Sequence, residues 1–443
     1  MTSRPLPPGK NGFPFIGETL SFIFDPEFAD QRFETYGPIF RTNILGQPTV
    51  VMGGAEANKF ILASHFEHFS WRDGWPANFK ELLGESLFLQ EGEEHDRNRK
   101  LLMPAFHGPA LQSYFATMVQ LCSTHLDRWA QLGELTLLPP MKEMTFEIAS
   151  VLLLGSEPGE ETTRLSRLFS DLTKGLFAFP IPLPWTTFGK ALRGRDLLLD
   201  HLSQEIKRRR QGEPTQDTLG LLLQTQDEEG NGLKDDEIKV QALLMLFAGH
   251  ETTTSMLTCL CMALAQHPNI LAQAQQEQSQ FGDEPLSFEQ CRRMPFLNQI
   301  LKEVERLYPP VAGGFRGVTK EFEFRGYHVP AGWKLLYQMR AAHQDPDIYH
   351  DPDRFDPDRF SPDRNEQKNA DFSLVGFGGG PRVCLGLAFA QLEMKIFASL
   401  LLRHYRWELL PHQDLSLSPI PSLHPRSGLQ ISLTKTLTSI IAG

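Results

Sequence analysis

From about residue 93 to 305 the apolar positions recur mostly at helical spacing, and polar residues fill the faces between them. Breaks fall at Pro139-Pro140, between Pro180 and Pro184, and at Pro268. Upstream, Ile39-Phe40-Arg41-Thr42-Asn43-Ile44 and Pro48-Thr49-Val50-Val51-Met52 read as a short hairpin turning at Gly46. Strand-like pieces return at 322–338, with turns at Gly326 and Pro330-Ala331-Gly332, and a helix follows around 386–405. The pattern predicts a mainly α (α+β) architecture with small sheets at its margins. No repeat of solenoid period and no Ser/Gly linker divides the chain, so 1–443 reads as one domain.

The longest predicted helix runs from Asp235 to Gln266. About 30 residues at 1.5 Å each span roughly 45 Å. Its apolar course is interrupted midway by His250-Glu251-Thr252-Thr253-Thr254-Ser255. A transmembrane span would carry a charge near the bilayer centre, which is costly. A plain core helix would have to satisfy six consecutive polar side chains. A functional interruption accounts for them better.

Apolar residues make up 41% of the 443, enough for a sizeable core. The formal charge of −11 argues against a nucleic-acid partner. Five cysteines at 122, 259, 261, 291 and 384 leave an odd one over and have no metal-finger spacing, which fits a reducing compartment. Met1 to Gly17 holds no apolar run of signal or anchor length, so a cytoplasmic protein without a transmembrane anchor is expected.

One cysteine stands apart, in Phe377-Gly378-Gly379-Gly380-Pro381-Arg382-Val383-Cys384-Leu385-Gly386. Three glycines let backbone approach a flat group without side chains in the way. Arg382 sets a fixed cation two residues before the sulfur, where a haem propionate could pair with it. The helix predicted to follow would aim its first amides at the sulfur and favour the thiolate. A thiolate on haem iron pushes electron density towards the metal. A phosphate-binding loop would need a Lys-Ser/Thr pair that is missing, and a lone cysteine is more often an inert buried residue. The joint pattern Phe-x-x-Gly-x-Arg-x-Cys-x-Gly outweighs both readings.

That pattern resembles the haem-ligand signature of the cytochrome P450 family, and further segments from about residue 5 to 433 match the same family. The resemblance implies the triangular helical fold, haem b with Cys384 as axial ligand, and a monooxygenase using dioxygen and two electrons. Ala248-Gly249-x-Glu251-Thr252 resembles the oxygen-activation motif, with Thr252 as hydrogen-bond donor and Glu251 as proton relay. The resemblance gives His95, Arg99 and Arg316 to haem propionates. It also counts Phe377, Gly386, Ala248 and Gly249 among the haem-binding residues. Glu303, Arg306 and Arg359 then form a buried structural set holding that loop, while Glu305 between them is expected to be solvated, as are Arg97 and Lys100.

Within the family, Gly175-Leu176-Phe177-Ala178-Phe179-Pro180-Ile181-Pro182-Leu183-Pro184-Trp185 with Phe188-Gly189-Lys190, and Tyr308-Pro309-Pro310-Val311-Ala312-Gly313-Gly314-Phe315-Arg316, resemble the cyanobacterial retinoic-acid-hydroxylating group, which is similar to animal retinoic acid hydroxylases and plant abscisic acid hydroxylases. Trp75, Phe177, Phe179, Val311 and Phe315 would line an apolar tunnel for a retinoid or another apocarotenoid, and Arg72 could meet its carboxylate. Electrons are expected from a ferredoxin and its ferredoxin reductase, with Arg97, Lys100 and Lys395 as candidate docking cations on a monomer. A peroxygenase or isomerase is the enzymatic alternative, and a haem sensor or isoprenoid carrier the non-enzymatic one. The Glu251–Thr252 pair favours the monooxygenase.

Overall fold

A computed structural model describes residues 4–436 apart from 26 and 283. The Asp235–Gln266 helix runs through the centre of the molecule. Asp235, Asp236 and Glu237 crowd its first turn, where the helix dipole favours negative charge, and Glu237 accepts the Lys234 N–H at 2.7 Å. Pro268 begins the next helix and holds His267 out of helical conformation, so the central one stops at Gln266. It has little amphipathic character because neighbours cover it on nearly every side.

Around it pack Pro109–Leu132, Leu138–Ala149, Glu160–Leu176, Thr187–Arg210, Pro295–Leu307 and Leu387–His404. The Pro180–Pro184 stretch is the irregular connection between two of these, and Pro139-Pro140 opens a third. Phe389 and Phe397 of the Leu387–His404 helix meet Tyr114 and Trp129 edge-on or tilted, with ring centroids 6.0 and 6.2 Å apart.

The hairpin forms as predicted, Ile39–Ile44 against Gln47–Gly53, with Leu45 and Gly46 both at positive φ in the turn. It extends into a five-stranded sheet through Lys334–Gln338, Gly313–Val318 and Phe69–Ser70. The periodicity left Gly313–Val318 undetected as a strand, because three glycines blunt its alternation. Smaller sheets join Phe322–Phe324 to Tyr327–Val329, and Tyr405–Leu409 to Gln430–Lys435 and Glu134–Thr136. Among the described residues no helix is long and apolar enough to cross a membrane.

Candidate active site

Cys384 lies in a loop that folds back on itself, its N–H donating to the Phe377 carbonyl at 2.8 Å. Gly378 and Gly380 take φ of 75° and 60°, which L side chains resist. Close packing adds a second reason at Gly380, where a Cβ would strike the Leu62 carbonyl. Gly386 caps the Leu387–His404 helix with open space where a Cβ would stand.

Cys384 is an exposed residue, yet protein surrounds its thiol, and this burial raises the thiol above its ordinary pKa. The Gly386 amide and Arg99 pull the other way and are outweighed. The helix amides alone therefore do not make the thiolate. Coordination to a metal ion, which strips a thiol of its proton, would do so.

The loop is tied to a fully buried ionic set. Arg306 donates to both carboxylate oxygens of Glu303 at 2.8 Å, and Arg359 Nε reaches Glu303 Oε1 at 3.0 Å. Arg359 also pairs with Glu366 at 2.7 Å, a partner the sequence did not suggest. From Arg306 the connection runs through His343. Its Nδ1 lies 3.1 Å from the Arg306 carbonyl, and its Nε2 lies 3.0 Å from the Val375 N–H at the start of the cysteine loop. Since Nε2 must accept from an amide, the proton sits on Nδ1. Burial lowers the His343 pKa to about 4 and keeps the ring neutral.

Glu305 departs from expectation. It is buried rather than solvated, its side chain pressed so closely on Gly376 that a Cβ there would lie 2.4 Å from Glu305 Cγ. Burial pushes its pKa up to about 7, against the opposing pull of the Gly376 and Phe377 amides.

Beside the loop, three arginines and His95 converge. Arg382 donates to the Gln90 carbonyl, Arg99 to the Val383 carbonyl at 2.7 Å, and Arg316 to the Phe315 carbonyl at 2.6 Å. His95 meets Asp96 at 3.0 Å, and burial with Arg382 nearby lowers its pKa. Arg316 is wholly buried, and among the described residues no carboxylate pairs with Arg316, Arg382 or Arg99. Burial, then repulsion from Arg316, depresses Arg382 to about 10. Trp71 takes the place of a counter-ion: Arg316 lies 3.2 Å above its ring and Arg382 4.9 Å. Clustered guanidinium groups without anions fit a dianionic group such as haem with its two propionates. Trp71 carries no sequence signal for this role.

On the central helix Ala248 is exposed in an otherwise buried run, so its exposure is to interior space. A Cβ on Gly249 would find its nearest neighbour 3.9 Å away. Thr252 donates its hydroxyl to the Ala248 carbonyl at 2.7 Å. Glu251 is buried and held by Lys142 Nζ at 3.1 and 3.2 Å, a partner from the neighbouring helix that sequence alone missed. Lys142 is one-third exposed, so the pair connects a buried carboxylate to the surface. Threonines 253 and 254 bond the carbonyls four residues back, and Thr254 also meets Thr145 at 2.7 Å, which satisfies most of the polar run.

Of the five expected tunnel residues, three belong to one aromatic group. Trp75 meets Phe315 at 6.2 Å, and Phe79 links Trp75 to Phe177 at 4.7 and 5.7 Å. Val311 is exposed nearby in sequence to Phe315, while Phe179 is 86% exposed and makes none of these ring contacts. Arg72 already pairs with Glu85. Arg97 is committed to Asp227 at 2.9 Å and Lys395 is half-buried, so of the three docking cations Lys100 alone is exposed without an ion pair among the described residues.

Residues 7–433 match the cytochrome P450 family model. Cytochrome P450 120 of Synechocystis sp. is 42% identical over 436 residues, covering 98% of each chain. Cytochrome P450 26A1 of Xenopus laevis is 34% identical over 426 residues, 92% of this chain and 86% of its own. The solved structure of retinoic-acid-bound cyanobacterial CYP120A1 superimposes with a TM-score of 0.92 at 42% identity, covering 98% of this chain and all of that one.

Proposed function

The chain belongs to the cytochrome P450 family of haem-thiolate monooxygenases, and we propose that it hydroxylates an apolar isoprenoid acid of the retinoic acid class. The observation that carries the substrate is the 42% identity, over nearly the full chain, to a structure holding retinoic acid. The group formed by Trp75, Phe177 and Phe315 supports it, offering an apolar wall of the kind a polyene would contact.

Cys384 would ligate the iron, and His95, Arg99, Arg316 and Arg382 would hold the propionates. Haem, when bound, supplies the activation of dioxygen with two electrons and the oxidation of substrate. The chain's own task is proton supply. Lys142 would pass protons from the surface to Glu251, whose side chain must leave Lys142 to reach the Thr252 side of the helix. Thr252 would relay them, its hydroxyl hydrogen bond to Ala248 fixing the oxygen in place. Ala248 and Gly249 keep that face of the helix clear for the reactants.

We assign the electron supply to a ferredoxin with its reductase, since no dinucleotide fingerprint occurs in the sequence. Five free thiols, four of them buried, support a cytoplasmic setting. The test is a set of binding difference spectra of the haem-loaded enzyme over retinoids, fatty acids and terpenes. Retinoic acid should give the largest spin-state change at the lowest concentration. A fatty acid or terpene that outcompetes it would overturn the substrate assignment.

A further inference from the structure

We propose that Glu305 lowers the reduction potential of the iron held by Cys384, its carboxylate charge acting through the backbone that carries the cysteine. Glu305 is then a positioning residue for the redox step, an assignment that rests on Cys384 as the iron's ligand and not on the substrate.

Both glutamates of Glu303-Val304-Glu305-Arg306 are buried, and only one is neutralised. Arg306 and Arg359 hold Glu303, whereas no cation pairs with Glu305 among the described residues. Lys302, on the same helix, reaches Gln367 at 3.3 Å instead. The other titratable groups that face Glu305 are Tyr349 and Cys384. A buried carboxylate without a cation costs stability once ionised, and such costs gather where they serve a site.

The backbone connects Glu305 to the sulfur. A Cβ on Gly376 would strike the Glu305 side chain, and the Gly376 and Phe377 amides both favour its charged form. Phe377 also accepts the Cys384 N–H at 2.8 Å. One residue thus donates to the carboxylate and accepts from the cysteine. The charge at Glu305 raises the Cys384 thiol, so it opposes negative charge on the sulfur. Reduction brings one electron from the donor protein to ferric iron, with no bond broken. The carboxylate opposes that added charge too, which lowers the potential.

The experiment is a dye-mediated potentiometric titration of the haem-loaded enzyme at pH 8.5, above the Glu305 pKa of about 7. Glu305→Gln keeps the shape and removes the charge. It should raise the midpoint potential by roughly 59 mV, a tenfold change in a one-electron equilibrium. The C–O stretch of the reduced carbon-monoxide complex should rise with it, since less electron density reaches the metal. Glu305→Leu, equally neutral, should raise the potential as far. The thiolate-type Soret band of each variant shows separately that Cys384 is the ligand and that the fold remains. An unchanged potential in Glu305→Gln overturns the proposal, even where Glu305→Leu moves it, for packing and not charge would then be the cause.

Discussion

The cysteine side and the roof of the site are built on opposite principles. On the cysteine side, Glu303, Arg306, Arg359 and His343 are fully buried and joined by directional bonds of 2.7 to 3.1 Å to each other or to backbone. On the roof, Trp75, Phe79, Phe177 and Phe315 meet through ring contacts of 4.7 to 6.2 Å, and part of the surface is open to solvent. A buried ion pair tolerates few substitutes, because an unpaired charge is so costly. Ring packing is non-directional and accepts many arrangements of similar volume. The first region should therefore fail sharply when altered, and the second by degrees.

Cys384→Ser should have the largest effect. It removes the sulfur while keeping the loop, and the reduced carbon-monoxide complex should lose its thiolate-type Soret band together with all product. Arg359→Ala comes next. Stranding Glu303 and Glu366 beside one remaining buried cation should cost about 3–5 kcal/mol in denaturant unfolding. A loss under 1 kcal/mol would mean the set is not the clamp it resembles.

The same contrast governs what could be read from the sequence. Glu303, Arg306, Arg359 and Cys384 announce themselves because charge and metal chemistry fix residue types at fixed spacings. The Asp235–Gln266 helix was legible to the residue, since acidic residues mark its start and a proline its end. Lys142, Trp71, His343 and Glu366 were not, for each acts on a group brought near only by folding. Glu305 misled because a glutamate flanked by an ion-pair motif normally faces water. Here it packs on Gly376, a position whose missing side chain makes room for it.

Glu305→Gln tests how that misfit bears on the cysteine side. The wild-type carboxyl titrates near 7 when folded and near 4.5 when unfolded. Its stabilising contribution is complete below pH 4.5 and is lost as pH rises towards 7. The glutamine variant escapes that loss, so relative to wild type it should gain up to about 3 kcal/mol between pH 4.5 and 7. His343 and His250, both lowered to about 4, have the opposite sign. Their contribution is present above pH 6.5 and is lost as pH falls towards 4. With two histidines set against one glutamate, wild-type stability should still rise from pH 4.5 to 6.5, and the variant's should rise about twice as steeply. Equal slopes in the two proteins would rule out Glu305 as the opposing group.

Thr252→Ala sits between the two regions, on the helix that faces both. Coupling of reductant to product should fall on the order of 10²-fold, while reductant consumption continues. Lys142→Met should lower coupling less and shift its pH dependence, since Glu251 keeps its carboxylate but loses its link to the surface. Unchanged coupling in Thr252→Ala would remove it from the proton path.

The roof offers the smallest and most discriminating effect. Trp75 carries the one strongly polar atom in the ring group, and its indole N–H is shielded from solvent with no partner among the described residues. A buried donor without an acceptor is unfavourable, so a ligand that brings an acceptor gains the bond without displacing another. Retinoic acid would bring a carboxylate, and a hydrogen bond to a charged group contributes about 1.5–3 kcal/mol. Trp75→Phe keeps an aromatic wall and removes the donor. It should weaken retinoic acid binding roughly tenfold or more and leave the hydrocarbon analogue within about twofold. If both ligands weaken together, Trp75 acts through its ring alone. The roof would then differ from the cysteine side in kind, with no directional bond to orient the substrate.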